Sequence, residues 1–171
     1  MDEMGAVEDA IVSTSSTKND ETRPSQEATV PASMPTRLHV LVVDDSATNR
    51  RLLLRWLRNR GHICEEAVDG VEAVEMVTNR MSDGKPIDCI LMDYEMPRMN
   101  GPNATGAIRK MGCDSFVVGI SGNVLPEDVA LFRNHGANAV LPKPVQFPDL
   151  ENLWYEFGVG ERVVRSNGGG L

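Results

Sequence analysis

The sequence predicts an α/β fold in which one doubly wound, parallel β-sheet is covered by helices on both faces. Short apolar runs bounded by turn residues alternate with segments of helical apolar spacing, five times each between residues 37 and 158. Runs such as residues 116–120 are apolar or small throughout, which is typical of strands buried on both faces of a parallel sheet. Five β–α units in this length indicate a single domain with right-handed crossovers.

The elements follow one another along the chain with clear start and stop signals. The predicted strands cover residues 39–43, 63–66, 88–92, 116–120 and 139–141. The predicted helices cover residues 47–59, 71–80, 103–111, 126–136 and 148–157. Ser46 is a favoured N-cap for the first helix and Gly61 a favoured residue after its end, while Pro126 suits the first position of the fourth helix.

The two ends of the chain have a different composition from the predicted domain at residues 37–158. Residues 1–36 hold seven acidic and two basic residues, are rich in Ser and Thr, and show no sustained periodicity. Such a segment buries too little apolar surface to offset the entropy lost on ordering, so we expect it to be disordered. Residues 159–171 end in Ser-Asn-Gly-Gly-Gly-Leu and are expected to form a flexible tail.

Composition also excludes several classes of partner. The net charge is −8, and neither part of the chain carries the basic patch that nucleic-acid binding needs. There is no apolar run near the roughly 18 residues of a membrane span, and the first residues lack the pattern of a secretory signal. The three cysteines are too few and too widely spaced for a zinc site or a disulfide framework. We therefore expect a cytoplasmic protein, with a nuclear location also open, and neither a nucleic-acid nor a membrane partner.

Five polar residues stand directly after predicted strands: Asp44, Asp45, Asp93, Ser121 and Lys143. Ligands of an open parallel sheet bind beyond the carboxyl ends of its strands, so we expect these side chains to meet at one edge. Carboxylate oxygens suit Mg²⁺, and an aspartate can attack phosphorus to form an acyl phosphate. Phosphoryl transfer further needs positioning and charge stabilisation, which an ammonium and a hydroxyl provide. The pattern predicts a site for Mg²⁺ and a phosphoryl group.

Four motifs around these residues carry a closer resemblance. They are Val-Val-Asp-Asp at 42–45, Met-Asp-Tyr-Glu-Met-Pro-Arg-Met-Asn-Gly at 92–101, Gly-Ile-Ser-Gly at 119–122 and Leu-Pro-Lys-Pro at 141–144. With these motifs, residues 37–158 resemble the receiver domain of two-component response regulators, in particular the receivers of hybrid histidine kinases. The resemblance implies a flavodoxin-like fold with strand order 2-1-3-4-5.

The resemblance also implies a role for each acidic residue and for the partners. Asp93 would accept a phosphoryl group from a phosphohistidine. Asp45 and Asp93 would bind Mg²⁺ directly and Asp44 through water, with the backbone carbonyl of Glu95 as a further ligand. The donor would be a histidine kinase or a histidine phosphotransfer protein, and phosphorylation could favour a weak homodimer. Such a domain is not an enzyme in the usual sense, since it catalyses only its own phosphorylation and dephosphorylation.

The remaining implied roles concern the end of the sheet near the fifth strand. Lys143 would pair with the phosphoryl oxygens, and Ser121 would be the hydroxyl that moves toward them. The Lys143–Pro144 peptide bond is expected to be cis, as is usual in receivers. One position departs from the family, which often has Tyr or Phe three residues before the lysine, where this chain has Val140. Phosphorylation would then be transmitted by movement of a loop and the fourth helix, or the domain would mainly pass the phosphoryl group on.

The first predicted helix has two contrasting faces. At about 100° per residue, one face should pack on the sheet. This face holds Asn49, Leu52, Leu53, Trp56 and Leu57. The opposite face holds Arg51, Leu54, Arg55 and Arg58. It is either a solvated basic face or a docking face for a helical partner, with an apolar centre ringed by arginines.

Two alternative functions would also account for some of these acidic residues. The first is a pseudo-receiver that binds proteins without phosphotransfer, although such a module has no physical need for clustered carboxylates. The second is a Mg²⁺-dependent phosphohydrolase with an aspartyl intermediate. That class usually needs a second acid–base carboxylate and a cap over the substrate; Glu95 could mimic the former, but the chain has no room for the latter.

Overall fold

One parallel sheet of five strands organises the computed structural model, which describes residues 37–159. The strands are β1 (His39–Val43), β2 (Ile63–Ala67), β3 (Cys89–Asp93), β4 (Phe116–Ser121) and β5 (Ala139–Pro142). Their order in the sheet is β2-β1-β3-β4-β5, and every neighbouring pair is parallel. This confirms the predicted fold class and strand order. The predictions of a disordered N-terminal segment and a flexible tail fall on residues 1–36 and 160–171, outside the described part of the chain.

Five helices alternate with these strands. They are α1 (Ala47–Asn59), α2 (Gly70–Ser82), α3 (Gly101–Lys110), α4 (Pro126–Asn134) and α5 (Phe147–Glu156). The predicted bounds of α1 are those observed, and the other predicted bounds differ by at most two residues. Ser46 caps α1 by accepting a hydrogen bond from the amide of Asn49, and Gly61 follows the helix with φ of 87°. None of the helices between residues 37 and 159 has the length and apolar character that crossing a membrane requires.

The sheet separates two hydrophobic cores. On one face, residues of α1 and α5 such as Leu57 and Trp154 pack on β1, β3 and β4. On the other face, α2, α3 and α4 contribute residues such as Val77, Ile108 and Phe132. Every residue of β3 and β4 is buried, as expected for the central strands of a doubly wound sheet. The residues that end β3 and β4 are therefore anchored in fully buried strands.

The packing face of α1 differs from the predicted one. Leu54 is buried, with 3% of its surface exposed, whereas Leu52 is 59% exposed. The prediction that Leu52 packs on the sheet and Leu54 faces solvent is therefore wrong, although Leu53 and Leu57 are buried as predicted. The cause is rotational, because the face that packs on the sheet is centred between Leu53, Leu54 and Leu57. Leu52 consequently takes the outward place that had been assigned to Leu54.

Candidate functional site

The ends of four strands meet at one edge of the sheet. Asp44 directly follows β1, Asp93 is the last residue of β3, and Ser121 is the last residue of β4. In the sheet, Asp93 pairs with Ile120 and Ser121 pairs with Pro142, the last residue of β5. Lys143 comes next in the chain, and its amide donates a hydrogen bond to the carbonyl of Ser121 at 2.8 Å. The topology therefore brings Asp44 and Asp93 to the point between β1 and β3 where the strand order reverses, with Ser121 at the end of the next strand, β4.

Three carboxylates form the centre of the site. Ligand oxygens of Asp44, Asp45 and Asp93 all lie within 4.8 Å of one another. Asp44 is 2% exposed and Asp93 is 3% exposed, whereas Asp45 lies at the surface. Three anionic oxygen donors this close repel one another, and a hard divalent cation relieves that repulsion. The donor set fits Mg²⁺, which commonly binds through a few carboxylates and keeps some of its waters.

Lys143 neutralises part of this charge. Its Nζ lies 2.8 Å from Oδ1 of Asp93 and 3.1 Å from Oδ2 of Asp44. Burial raises the pKa of the Asp93 carboxyl, and the charge of Asp44 raises that pKa further, while the hydrogen bond from Lys143 opposes both. Burial lowers the pKa of the Lys143 ammonium, but its hydrogen bonds to Asp93 and Asp44 outweigh burial, and the pKa lies above its usual value. Lys143 therefore keeps its positive charge, whereas the ionised form of Asp93 is less stable than that of an exposed aspartate.

The buried hydroxyl of Ser121 is hydrogen-bonded to the backbone of Asn123. It donates a hydrogen bond to the carbonyl of Asn123 at 2.7 Å and accepts one from the amide of Asn123 at 3.2 Å. Ser121 is 3% exposed, whereas Asn123 lies at the surface. The hydroxyl thus closes a tight turn at the start of the loop between β4 and α4. The Lys143–Pro144 peptide bond beside it is cis, as predicted.

Glu95 lies on the loop between β3 and α3, next to Asp45. Both residues line an open groove of about 380 Å³, together with Tyr94 and Asn100. The loop is fixed at its end by a hydrogen bond from the amide of Gly101 to the carbonyl of Tyr94 at 2.9 Å. The groove thus places Glu95 on the same side of the molecule as Asp45, and its role as a carbonyl ligand stays a prediction.

Two residues that the sequence reasoning missed contribute to the geometry. The side-chain amide of Asn49 donates to the carboxylate of Asp44 at 3.1 Å, whereas we had expected Asn49 to pack on the sheet. Gly101 is required by a close approach, since a Cβ there would lie 2.1 Å from the carbonyl oxygen of Asp93. The glycine was visible at the end of the motif at 92–101, but its steric reason depends on how α3 returns against β3.

Comparisons with known proteins agree with this geometry. The family model of the response regulator receiver domain matches residues 40–154. The sensor histidine kinase RcsC of Salmonella typhi is 38% identical over 127 residues, which cover 74% of this chain and 13% of RcsC. The two-component response regulator ORR41 of Oryza sativa subsp. japonica is 36% identical over 122 residues, or 70% of this chain and 94% of ORR41.

A solved structure shows the same similarity. It is the receiver domain of the histidine kinase CKI1 from Arabidopsis thaliana, complexed with Mg²⁺ and BeF₃⁻. This structure has a TM-score of 0.60 and 29% identity, and the match covers 71% of this chain and 88% of that one. The chain spans about an eighth of the length of RcsC but nearly all of ORR41. Matched over most of its length by the family model and by a relative of similar extent, the chain belongs to the response regulator receiver domain family.

Proposed function

We propose that this domain takes a phosphoryl group from a phosphohistidine onto Asp93 in a Mg²⁺-dependent reaction, and so switches or relays a two-component signal. The observation that carries the proposal is the buried Asp93 carboxylate, paired with Lys143 and clustered with Asp44 and Asp45 at the end of β3. Family membership supports it. The intact acidic cluster disfavours the pseudo-receiver alternative, because bringing these carboxylates together without a cation is unfavourable.

The reaction follows from the position of each group. A carboxylate oxygen of Asp93 attacks phosphorus, a P–O bond forms, and the P–N bond to the donor imidazole breaks. The electron pair of that bond returns to the imidazole, which leaves as the neutral ring after taking up a proton. Lys143 stays beside Asp93 and stabilises the charge on the phosphoryl oxygens. Mg²⁺, held by Asp45, Asp93 and the carbonyl of Glu95 and through water by Asp44, would neutralise the charge that develops on the transferred group.

Phosphate incorporation from a small phosphoramidate or acyl-phosphate donor tests the proposal. We expect label that requires Mg²⁺, is stable in acid and labile in base, and is lost in Asp93→Asn. The Asn variant keeps the shape of the side chain, so its circular dichroism spectrum and unfolding midpoint serve as the control for folding. A folded wild-type protein that takes up no label would overturn the proposal.

A cleft beside the site supports a protein as the phosphoryl donor. A cleft of about 270 Å³ runs from Lys143 to the exposed side chain of Leu52, with Val145 and Phe147 on its other wall. Arg55, one helical turn after Leu52 on α1, is also exposed. An apolar helix end that carries a phosphohistidine could contact Leu52 while its ring reaches Asp93, which fits a histidine phosphotransfer protein or the corresponding domain of a histidine kinase. The docking face is thus centred on Leu52 instead of Leu54.

Further expectations belong to the same proposal. The domain would act on itself alone, without turnover of a free substrate. A cytoplasmic location is supported by three free cysteines between residues 37 and 159, which suit a reducing compartment. Residues 37–158 would form the functional unit, and a weak homodimer would arise on phosphorylation. Sedimentation of the protein with and without a phosphoryl analogue would measure that association.

A further inference from the structure

Arg50 is a charged residue on the buried side of α1. With Leu53, Leu54 and Leu57 it follows the spacing i, i+3, i+4, i+7, which places all four on one face of a helix. The three leucines are buried in the core between α1 and the sheet, and the side chain of Arg50 is 12% exposed. Arginine is rarely this deeply buried unless its guanidinium is fully used by partners. Arg50, at the first position of an otherwise apolar stripe, is therefore expected to have specific hydrogen-bond partners.

The contacts of the guanidinium supply that reason. Nη1 donates to the backbone carbonyl of Asp44 at 2.8 Å and to that of Asp45 at 3.2 Å. Nε donates to Oε2 of Glu66, near the end of β2, at 2.8 Å. One planar group thus connects the turn after β1 to the neighbouring strand. The two residues whose carbonyls it holds are two of the three acidic residues of the site.

The choice of carbonyl acceptors has a consequence for the metal. Lys143 binds carboxylate oxygens of Asp44 and Asp93 directly, so it uses oxygens that a cation could also use. Arg50 instead fixes the backbone behind the Asp44 and Asp45 carboxylates and does not itself occupy their oxygens. It also adds positive charge next to the acidic cluster, which reduces the repulsion that works against its assembly. Groups that orient metal ligands in this way commonly change metal affinity about 10- to 100-fold when removed.

We propose that Arg50 is a positioning residue for the Mg²⁺ site, holding the Asp44–Asp45 backbone so that both carboxylates face Asp93 before the metal arrives. This inference rests on the proposed function, since it presumes that the acidic cluster binds Mg²⁺. Glu66 orients the guanidinium, and its side chain is 48% exposed, so its own contribution is smaller. A lysine at position 50 would keep the charge but lacks the planar fork that serves three acceptors at once.

Calorimetric titration of Mg²⁺ into the unphosphorylated full chain tests the proposal without relying on activity. We expect Arg50→Gln to weaken Mg²⁺ binding about 10-fold and Arg50→Lys about 3-fold, as for other residues that orient metal ligands. Amide hydrogen exchange should accelerate in the metal-free Arg50→Gln protein at Asp44 and Ser46, whose amides donate to the Ala67 carbonyl and the Asp44 carboxylate. The matched control is Arg51→Gln, because Arg51 is exposed and its Nε donates to the carbonyl of Ala47 in its own helix.

The outcomes separate this inference from the function on which it rests. A Mg²⁺ affinity within about twofold of wild type in folded Arg50→Gln overturns the positioning role. If Arg50→Gln does not fold, Arg50→Lys decides, and an unchanged affinity in that variant overturns the role equally. Wild-type protein that binds no Mg²⁺ and takes up no label on Asp93 overturns the proposed function itself. A loss of stability alone, with Mg²⁺ affinity unchanged, would show that Arg50 is merely structural and so also contradicts the proposal.

Discussion

Replacing Lys143 by glutamine tests the electrostatics of the site. The ammonium of Lys143 makes two charge-assisted hydrogen bonds, to Asp93 at 2.8 Å and to Asp44 at 3.1 Å. Such bonds contribute about 1.5–3 kcal/mol each, and the full loss of a partner from a buried ion pair costs about 3–5 kcal/mol. Because the lysine side chain is 29% exposed and glutamine retains a donor, we expect a loss of about 2–3 kcal/mol in unfolding free energy at pH 7 without metal. Added Mg²⁺ should restore part of it by neutralising the same carboxylates.

The loss should depend on pH in a definite direction. Burial and the charge of Asp44 raise the pKa of Asp93, and removing Lys143 raises that pKa further. When the pKa of a carboxyl is higher in the folded than in the unfolded state, its ionisation destabilises the folded protein. That destabilisation grows as the pH rises from the unfolded pKa through the folded one. The loss of unfolding free energy in Lys143→Gln, relative to wild type, should therefore be greatest at pH 7. It should shrink as the pH falls toward the usual aspartate pKa of 3.8.

Urea unfolding in the presence of a chelator, at pH 7 and pH 4, measures both effects. The matched control is Lys85→Gln, because Lys85 is an exposed residue of the loop before β3. Equal unfolding free energies of wild type and Lys143→Gln at pH 7 would refute the reasoning. So would a deficit of the same size at both pH values.

Two further pairs of substitutions test the packing that positions the site. Leu54→Ala should lower the unfolding free energy by about 2–5 kcal/mol, whereas Leu52→Ala should change it by less than about 0.5 kcal/mol and instead slow phosphotransfer from a protein donor. Equal stability losses at the two positions, measured by urea unfolding, would contradict the observed face of α1. Gly101→Ala should cost about 1–3 kcal/mol and slow labelling of Asp93, because the new Cβ meets the Asp93 carbonyl. Gly122→Ala, where a Cβ has open space, should leave the unfolding midpoint and the labelling rate unchanged.

The sequence was sufficient for the fold and for the acidic cluster because both depend on strongly local signals. The apolar runs before Asp44 and Asp93 fix the strands, and parallel topology alone then brings the strand ends to one edge. The rotation of α1 was harder to predict, because four consecutive positions from Arg51 to Leu54 include three leucines, and helical spacing cannot rank neighbouring apolar residues. Arg50 was missed for a related reason, since a basic residue in a helix is assigned to solvent until its partners on the strand and the turn beside it are known.

The contacts of Ser121 suggest how the domain could signal without an aromatic switch. Val140 lies partly buried against the core, and the nearby rings of Tyr94 and Phe132 pack edge to face with centroids 5.5 Å apart. The Ser121 hydroxyl is bonded to both backbone groups of Asn123, so moving it toward a phosphoryl group on Asp93 must break both hydrogen bonds. Those bonds close the turn that leads into α4, and their loss therefore acts on the backbone of the loop directly. Under the proposed function, phosphorylation would be transmitted through this turn, and a valine at position 140 would not interrupt it.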